Sequence, residues 1–315
     1  MTKHIWKALT PDTAMNAVES VIQEQLSNYC VPRNSYINRV YEMETHSHER
    51  IIVKFYRPFR WTHEMILGEH AFLQKCVSIE LPVIPPRKYQ DRTLFTFDSI
   101  PFAIFPKKGG RSIDELNQEL WKEVGRLLGR IHNVGNTISK TERIIWKPSI
   151  ATETHLNVLK DCRHIPEDYK PIFEKTVSTF IQKADPLFSS IDTFLIHGDC
   201  HFGNIIHRPG ESLYLVDFDD CVIGPPVQDM WMLLPDAEEN CKKELSWFKE
   251  GYTTFRPFPE SSLNLIPALR IMRQIHFAQW CAIQSNDPQF KHHFPNWGTM
   301  TYWNEMIKDM MGFNI

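Results

Sequence analysis

The sequence predicts an α+β fold with a small N-terminal α/β lobe and a larger, mainly helical C-terminal lobe. Two strand-like segments, RVYEMET and RIIVKFY, flank the polar HSHE and are typical of a β-hairpin. Beyond the glycine pair of PKKGGR, helical patterns dominate and one further hairpin interrupts them. A chain of 315 residues is also long enough for two lobes. We expect the first lobe at 1–105 and the second at 106–315.

The first lobe is predicted to begin with a helix. Thr10 and Pro11 suit the N-cap and the first helical position, and apolar residues follow at helical spacing as far as Leu26. After the hairpin, THEMILGEHAFLQKC predicts a second helix that starts at Thr62. The segments TLFTFD and PFAIF complete a small sheet.

The second lobe is predicted to hold several helices around a short hairpin. QELWKEVGRLLGRIHNVG places its apolar residues on one face and closes near Gly135, and a further helix is predicted at about 168–184. The octapeptide HGDCHFGN follows, and then NIIHR, the turn PGES and LYLVDF form the hairpin. From Pro225 onward the pattern is again mainly helical.

Composition and charge exclude several classes of protein. The net charge is −3, with 42% hydrophobic and 23% charged residues, so nothing indicates binding to nucleic acid or to an anionic membrane. Seven scattered cysteines without a C-x-x-C pair favour free thiols in a reducing compartment. The N-terminus lacks an apolar signal region, and no run of about 18 apolar residues occurs. We expect a cytoplasmic monomer.

Lys54 and Glu69 interrupt apolar patterns in the first lobe. Alternation places Lys54 on the same strand face as Ile52 and Tyr56, and Glu69 falls on the apolar stripe of the next helix. An inward charge is expensive unless it is paired, so the two residues are predicted to pair with each other. In kinase-like folds such a lysine binds nucleotide phosphates and such a glutamate holds it in place. The alternative is that both side chains reach solvent at the sheet edge.

The octapeptide at 197–204 has three interpretations. His197, Cys200 and His201 can supply zinc ligands, but a structural zinc site needs four and no second pair lies at the required spacing. Cys200 beside two histidines resembles a thiol–imidazole pair, but adjacent side chains point apart and no thiol-enzyme signature surrounds it. Cys200 is therefore predicted to be a small packing residue.

The third interpretation is the catalytic loop of a phosphotransferase. An aspartate, Asp199, would accept or orient the proton of the attacking hydroxyl. The carbonyl oxygen of Asn204 and the carboxylate of Asp217 would coordinate Mg²⁺ on the nucleotide phosphates, and the hairpin would bring these two residues together. His197 is then expected to stabilise the loop by hydrogen bonds. The order of Lys54, the loop and Asp217 along the chain favours this interpretation.

The neighbouring acidic residues have less certain assignments. Asp219 faces metal or substrate, or is a solvated turn carboxylate, and the sequence does not separate these alternatives. Asp220 is predicted to be solvated. Asp229 opens a helical stretch after a proline pair, and is expected to cap that helix or to hydrogen-bond the catalytic loop backbone.

Two common phosphate-binding motifs are missing from the sequence. There is no G-x-x-x-x-G-K-[ST] segment and no G-x-G-x-x-G before Lys54. The turn in the corresponding position, NSYINRVYEM, has no glycine, so side chains and ordinary backbone amides would contact the phosphates. Ser35 is the hydroxyl best placed for this role, with a simple turn residue as the alternative.

Several segments together carry a family resemblance. HGDCHFGNIIHR, LYLVDFDD and GPPVQDMWMLL resemble the aminoglycoside-phosphotransferase and choline-kinase superfamily of protein-kinase-like, bilobal folds. NSYINRVYEM, IVKFYRPFRW, FPKKGGR and HFPNW are also similar to segments of the bacterial stress response kinase A family, so the match runs from about residue 34 to about 298.

The resemblance implies a cytoplasmic, ATP- and Mg²⁺-dependent serine/threonine protein kinase with a role in protection against stress. By position, it implies that Asp199 is the catalytic base and that Asn204 and Asp217 are magnesium ligands, with Asp217 also serving catalysis. It further implies that Ser35 contacts ATP and that Lys54 binds phosphate, with Glu69 as its partner. Residues 1–105 would then be the nucleotide-binding lobe and residues 106–315 the catalytic and substrate lobe.

The phosphate acceptor is left open by the sequence. FAIFPKK is expected to offer backbone groups to adenine. Arg270, Arg273, His276 and Trp280 lie on a predicted helix and line an acceptor groove or pack the lobe; packing is favoured for Trp280, Trp297 and Trp303. A protein hydroxyl, or a small hydroxyl compound of the choline, homoserine or aminoglycoside type, fits the pattern equally, since a fold does not fix a substrate. A nucleotide-binding regulatory module without turnover is the alternative from another class.

Overall fold

A five-stranded antiparallel sheet lies in the N-terminal part of the chain. The computed structural model describes residues 6–139, 141–287 and 289–313. The strands of this sheet are arranged in the order β1-β2-β3-β5-β4. Their bounds are β1 Leu26–Arg33, β2 Arg39–Thr45, β3 Arg50–Phe55, β4 Phe95–Phe97 and β5 Ile100–Pro106.

The central strand β3 has a different environment on each face. Ile51, Val53 and Phe55 are fully buried in a core that includes apolar residues of the first helix, α1 (Pro11–Ile22). The alternate residues Ile52 and Lys54 face the opposite way and line a large cleft. The predicted inward position of Lys54 is therefore confirmed, since only 11% of its side chain is exposed.

Helix α1 begins as predicted and ends earlier. The Thr10 hydroxyl accepts a hydrogen bond from the Thr13 amide, and Pro11 occupies the first turn. The helix ends at Ile22 because Gln23 adopts the left-handed conformation, with φ 56°. The prediction that Leu26 continues the helix is wrong, since Leu26 pairs with Thr45 at the start of β1. This strand was missed because its sequence has no clean alternation and contains a proline, which an edge strand tolerates.

Helix α2 (His63–Val77) connects the sheet to the rest of the molecule. It begins after Thr62, whose hydroxyl accepts a hydrogen bond from the Met65 amide, as the sequence predicts. Ile66 packs with Tyr56 of the sheet region, whereas Phe72 belongs to the large core of the C-terminal part. The helix thus holds the sheet against the helical part. The boundary between two lobes at residue 105 stays a prediction.

The remainder of the chain is mainly helical with two small sheets. The predicted hairpin after the octapeptide is confirmed as β8 (Ile205–Arg208) and β9 (Ser212–Leu215), and β6 (Arg111–Ser112) adds to β8. Strands β7 (Phe194–Ile196) and β10 (Val222–Gly224) form an antiparallel pair. The helices are α3 Gln118–Asn136, α4 Glu153–Lys160, α5 Lys170–Ala184, α6 Gln228–Trp231, α7 Lys242–Tyr252, α8 Ile266–Gln284, α9 Phe290–His293 and α10 Met300–Met311.

The predictions for thiols and indoles are confirmed by the packing. All seven cysteines are free thiols, and six of them are buried. Trp297 and Trp303 lie in the large core, as favoured from the sequence. No helix of the described residues has the length and apolar character that crossing a membrane requires.

Helices α3 and α7 approach each other closely through glycines. A Cβ atom on Gly125 would lie 2.2 Å from the Phe248 carbonyl oxygen, and one on Gly251 would lie 2.0 Å from that of Lys122. Such distances require the backbones to move apart. Helices α3 and α7 can therefore lie this close together only because Gly125 and Gly251 carry no side chain.

We expect Gly125→Ala to lower the free energy of unfolding by about 1–3 kcal/mol, because the added methyl group overpacks the α3–α7 contact. Urea denaturation followed by circular dichroism measures the change. Gly109→Ala is the matched control, since a Cβ atom there meets nothing within 4 Å. Equal stability of the two variants would contradict this account of the packing.

Candidate active site

The octapeptide forms a loop that leaves β7 and enters β8. Gly198 adopts φ +83°, and a Cβ atom there would lie 2.3 Å from the Asp220 carbonyl oxygen, so the position requires glycine. The Asn204 amide nitrogen donates to the His201 carbonyl (2.9 Å), and the Asn204 side-chain nitrogen donates to the Asp199 carbonyl (2.9 Å). These bonds fix Asp199 and Asn204 relative to each other.

Asp229 anchors the start of this loop from α6. Its two carboxylate oxygens accept hydrogen bonds from the backbone amides of His197 (2.8 Å) and Gly198 (2.7 Å). The buried ring of His132 contacts the same carboxylate at 3.1 Å, and Gln228 donates to the Gly198 carbonyl at 3.0 Å. The predicted hydrogen bonding of the loop backbone by Asp229 is confirmed.

His197 links the loop to the segment that carries Asp217. Its Nδ1 accepts a hydrogen bond from the Asp199 amide (3.2 Å), so Nε2 carries the proton and donates to the Val216 carbonyl (2.9 Å). The Val216 amide in turn donates to the Asn204 carbonyl at 2.9 Å. The predicted role of His197 as a stabiliser of the loop is confirmed.

Asp217 follows β9 in a conformation that few residues adopt. Its φ is 62° and its ψ is 67°, the left-handed region, which is unfavourable for an L-residue. Half of the side chain is exposed to the cleft. Such strain is maintained where the surroundings fix it and is found preferentially at functional sites.

The ammonium group of Lys54 bridges two carboxylates. Its Nζ lies 2.6 Å from Asp217 Oδ1 and 2.5 Å from Asp219 Oδ1. Burial alone would lower the pKa of Lys54, but the two carboxylates outweigh it and raise that pKa. Lys54 is therefore a fixed positive charge within the cleft.

The predicted pairing of Lys54 with Glu69 is wrong. The ion-pair partner of Glu69 is Arg143, with 3.5 Å between Nη2 and Oε2, and no ion pair joins Lys54 to Glu69 in the described part of the chain. Burial, with the Asp219 charge, raises the pKa of Glu69. Glu69 lies near enough to contribute to the pKa of Lys54, but Asp217 and Asp219 hold the ammonium.

Asp219 and Asp220 are both ion-paired. Asp219 is buried and also accepts a 2.6 Å hydrogen bond from the Asn38 side chain, so the solvated alternative for Asp219 is excluded. Arg60 contacts Asp219 at 3.6 Å and Asp220 at 2.6 Å. The prediction that Asp220 is solvated is wrong, because Arg60 binds it and its side chain is only 28% exposed.

Asp199 carries a firmly ionised carboxylate. Burial opposes ionisation, but the His201 ring 3.6 Å away and the charge of Arg273 outweigh it and lower the pKa of Asp199 to about 2. Arg273 Nη2 lies 2.6 Å from Asp199 Oδ1. Among the described residues this buried oxygen nevertheless has no hydrogen-bond partner of good geometry. Oδ1 is thus held by the charge of Arg273, and 17% of the Asp199 side chain is exposed in the cleft.

A single cleft of about 830 Å³ collects the predicted site residues. Ser35 lies in the turn between β1 and β2, and its hydroxyl accepts a hydrogen bond from the Asn38 amide at 3.3 Å. The size of the cleft is that of a site for a cofactor or a drug-sized ligand. The site residues predicted from the sequence all line this cleft: Ser35, Lys54, Glu69, Asp199, Asn204 and Asp217.

Helix α8 forms one wall of the cleft. Arg273, His276, Phe277 and Trp280 line it at helical spacing, and the rings of Phe277 and Trp280 stack with centroids 5.8 Å apart. Trp280 therefore both packs against its neighbours and borders the cleft. Cys200, by contrast, is buried as predicted, and burial raises the pKa of its thiol.

Three residues of the charged cluster were missed by the sequence analysis. Arg143 donates to the carbonyls of Met65 and Asp219, and Asn38 and Arg60 bind the carboxylates of the DFDD segment. Arg60 lies in the turn after β3, and the sequence does not show the direction in which that turn points it. Arg143 and Asn38 lie in segments without a periodic signal, and their partners are more than 70 positions away.

The fold and its cleft are those of a kinase-like phosphotransferase. The chain belongs to the phosphotransferase enzyme family, whose model matches residues 30–256. It is 36% identical over 304 residues to Stress response kinase A of Escherichia coli (strain K12), covering 95% of this chain and 90% of that protein. It is 34% identical over 304 residues, with the same coverage, to Serine/threonine protein kinase RdoA of Salmonella typhimurium (strain LT2). The resemblance expected from the sequence is confirmed.

Solved structures agree on the fold. The amicoumacin kinase hAmiN, in complex with AMP-PNP, Ca²⁺ and Ami, superimposes with a TM-score of 0.79 at 18% identity and covers 100% of this chain and 98% of that chain. The choline kinase LicA from Streptococcus pneumoniae gives 0.67 at 13% identity, covering 96% and 99%. At these identities the similarity shows the bilobal kinase-like fold alone.

Two histidines beside the cleft, the buried His70 and the half-buried His276, make stability depend on pH. Burial, with the Lys54 charge, lowers the pKa of His70 to about 3, and burial, with His155, lowers that of His276 to about 3. His70 is held neutral between Tyr56 and Thr93. The unfolded chain therefore takes up these protons first as the pH falls.

We expect the free energy of unfolding to decrease as the pH falls below about 6.5, by up to about 1.4 kcal/mol per pH unit for each of these two histidines. Both folded pKa values lie below the unfolded one, so this contribution is complete above pH 6.5 and declines towards pH 3. Thermal melts between pH 7.5 and 5 measure it, and His70→Gln should reduce the slope. A pH-independent melting temperature in wild type, or an unchanged slope in the variant, would contradict the assignment.

Proposed function

We propose that the chain is an ATP- and Mg²⁺-dependent kinase that transfers the γ-phosphate of ATP to serine or threonine hydroxyls of a protein, in a stress response. The observation that carries the proposal is the convergence of all six predicted site residues on one cleft. The names of the relatives at 34–36% identity, Stress response kinase A and Serine/threonine protein kinase RdoA, support the stress role and the protein acceptor. A cytoplasmic location and a monomeric state stay predictions.

ATP fits the cleft with its phosphates towards Lys54. Val40 and Ile52 of the sheet and Ile206 of the hairpin supply apolar walls for the adenine ring. Phe105 and Lys107 border the same region, although the Lys107 amide already donates to the Arg50 carbonyl at 3.3 Å. Lys54 provides the positive charge for the phosphates, and the Ser35 turn covers them in place of a glycine-rich loop.

The oxygen donors beside Lys54 fit a magnesium ion. Asp217 offers a half-exposed carboxylate, and the Asn204 side-chain nitrogen is used by the Asp199 carbonyl, which leaves its side-chain oxygen as a ligand. Mg²⁺ in nucleotide sites is bound by one or two such groups together with phosphate oxygens. The bound ion would neutralise charge on the phosphates during transfer.

Asp199 is placed to orient the acceptor hydroxyl. Its carboxylate lines the cleft and would accept the hydroxyl hydrogen bond, which points the oxygen at the γ-phosphorus. The new O–P bond forms in line as the bond to the β–γ bridging oxygen breaks, ADP leaves, and the hydroxyl proton passes to Asp199. A carboxylate with a pKa of about 2 is a weak base, so orientation is its main contribution.

A small hydroxyl compound is the second candidate acceptor. The stacked rings of Phe277 and Trp280, with Tyr36 5.4 Å from Trp280, form an aromatic wall at the acceptor end. Such a wall suits a compact organic or cationic substrate. The proteins of similar fold include an amicoumacin kinase, an aminopropanol kinase and a choline kinase.

We expect Asp199→Asn to lower the rate of phosphate transfer at least about a hundredfold, because the neutral amide loses the ion pair with Arg273 that orients the side chain and cannot take up the hydroxyl proton. The affinity for ATP should change little. Transfer of labelled phosphate to casein, to the chain itself and to a panel of small alcohols provides the measurement. Asp192→Asn, at an exposed position before β7, is the matched control and should retain full activity.

The outcomes of this assay separate the candidate functions. Label on protein that disappears in Asp199→Asn supports the protein kinase. Rapid turnover of one small alcohol without labelled protein would establish the second candidate instead. Tight ATP binding without any transfer would favour a regulatory nucleotide-binding module.

A further inference from the structure

Phe59 occupies an unusual place in the turn between β3 and α2. The Arg60 amide donates to the Arg57 carbonyl at 3.3 Å, which closes a four-residue turn with Pro58 in its second position. Phe59, in the third position, has φ 66°. This is the arrangement of a type II turn, whose third residue is usually glycine or asparagine.

The side chain of Phe59 is 96% exposed. The position is therefore unfavourable in two respects, since a bulky residue is strained at positive φ and an aromatic ring gains nothing from contact with water. The other large exposed apolar residues in the described part of the chain are at most 58% exposed. No contact within the described residues explains either the positive φ of Phe59 or the exposure of its ring.

The base of the turn is fixed to the active site. Arg60 binds Asp220 and Asp219, and the Arg57 amide donates to the Asn38 side chain at 3.0 Å. Arg60 itself lines the cleft, whereas Phe59 is not among the described residues that line it. The ring thus projects from the rim of the cleft while its neighbours contact the DFDD carboxylates.

We propose that Phe59 is a docking contact for a polypeptide acceptor, which covers the ring while one of its hydroxyls reaches Asp199. This inference rests on the proposed kinase function and specifies the acceptor as a macromolecule. A small compound that fills the cleft leaves Phe59 in water, because the ring lies outside the lining. A polypeptide larger than the cleft extends over the rim and buries the ring.

The charges beside Phe59 favour a polypeptide over a membrane surface. Aromatic loops that bind anionic membranes combine their rings with free cations. Here Arg60 is already bound by two carboxylates, and Arg57 is buried. The turn instead presents one apolar ring on a rigid base. Such a ring is suited to bind in an apolar pocket of a protein or against one of its apolar side chains.

Phe59→Gly tests the proposal without endangering the fold. Glycine adopts positive φ without strain, so the melting temperature should be maintained or raised. The acceptor in this test is casein or the chain itself, whichever wild type phosphorylates with the lower KM. For that acceptor we expect the KM to rise at least about tenfold in Phe59→Gly, because burial of the ring is lost. The kcat at saturating acceptor and the KM for ATP should stay unchanged. Phe255→Ala, at an exposed phenylalanine that does not line the cleft, is the matched control.

The results separate this inference from the proposed function. Labelled protein with equal acceptor KM in wild type and Phe59→Gly overturns the docking contact but leaves the kinase intact. No labelled protein from wild type overturns both. An equal loss of transfer to a small alcohol in Phe59→Gly would make the ring a lid on the cleft, and Phe59-dependent sedimentation with phosphatidylglycerol vesicles would make it a membrane contact; either result overturns the proposal.

Discussion

The buried ammonium of Lys54, held between Asp217 and Asp219, is the interaction on which the arrangement of the cleft depends. It joins the central strand of the sheet to the end of the β8–β9 hairpin, across 163 and 165 positions of sequence. A buried charge that loses its partner costs several kcal/mol, so the sheet and the hairpin cannot separate cheaply. Arg143 and Arg60 supply further positive charge to the same group of carboxylates. The strained backbone of Asp217 is stabilised by this bridge.

The catalytic loop has a second, independent support. Asp229 binds the amides at its start, and His197 connects it to the residue before Asp217. Asp199 is thus fixed by backbone contacts on one side and by Arg273 on the other. The chemistry that we propose for the cleft would follow from these two supports: one would place charge for a nucleotide, and the other would orient a carboxylate towards a hydroxyl.

Much of this was predictable from sequence, and the exceptions have physical reasons. Alternation placed Lys54 on the cleft face, and the hairpin pattern brought Asp217 back to Asn204, because both signals are local. The partner of Lys54 was not predictable in this way, since the ion pair depends on the packing of segments far apart in the chain. Leu26 was assigned to a helix because its spacing fits, although the left-handed Gln23 ends α1 before it. Asp220 looked solvated because Arg60, its partner, lies in a turn whose direction the sequence does not show.

The central claim is that Lys54 and Asp217 together hold metal-bound ATP, and calorimetric titration of ATP with and without Mg²⁺ tests it most directly. Wild type should bind ATP more tightly when Mg²⁺ is present. Asp217→Asn should lose this gain, while Lys54→Met should bind ATP weakly under both conditions, with folding of each variant verified by circular dichroism. An Asp217→Asn variant that keeps the full effect of Mg²⁺, or a Lys54→Met variant with wild-type affinity, would contradict the account.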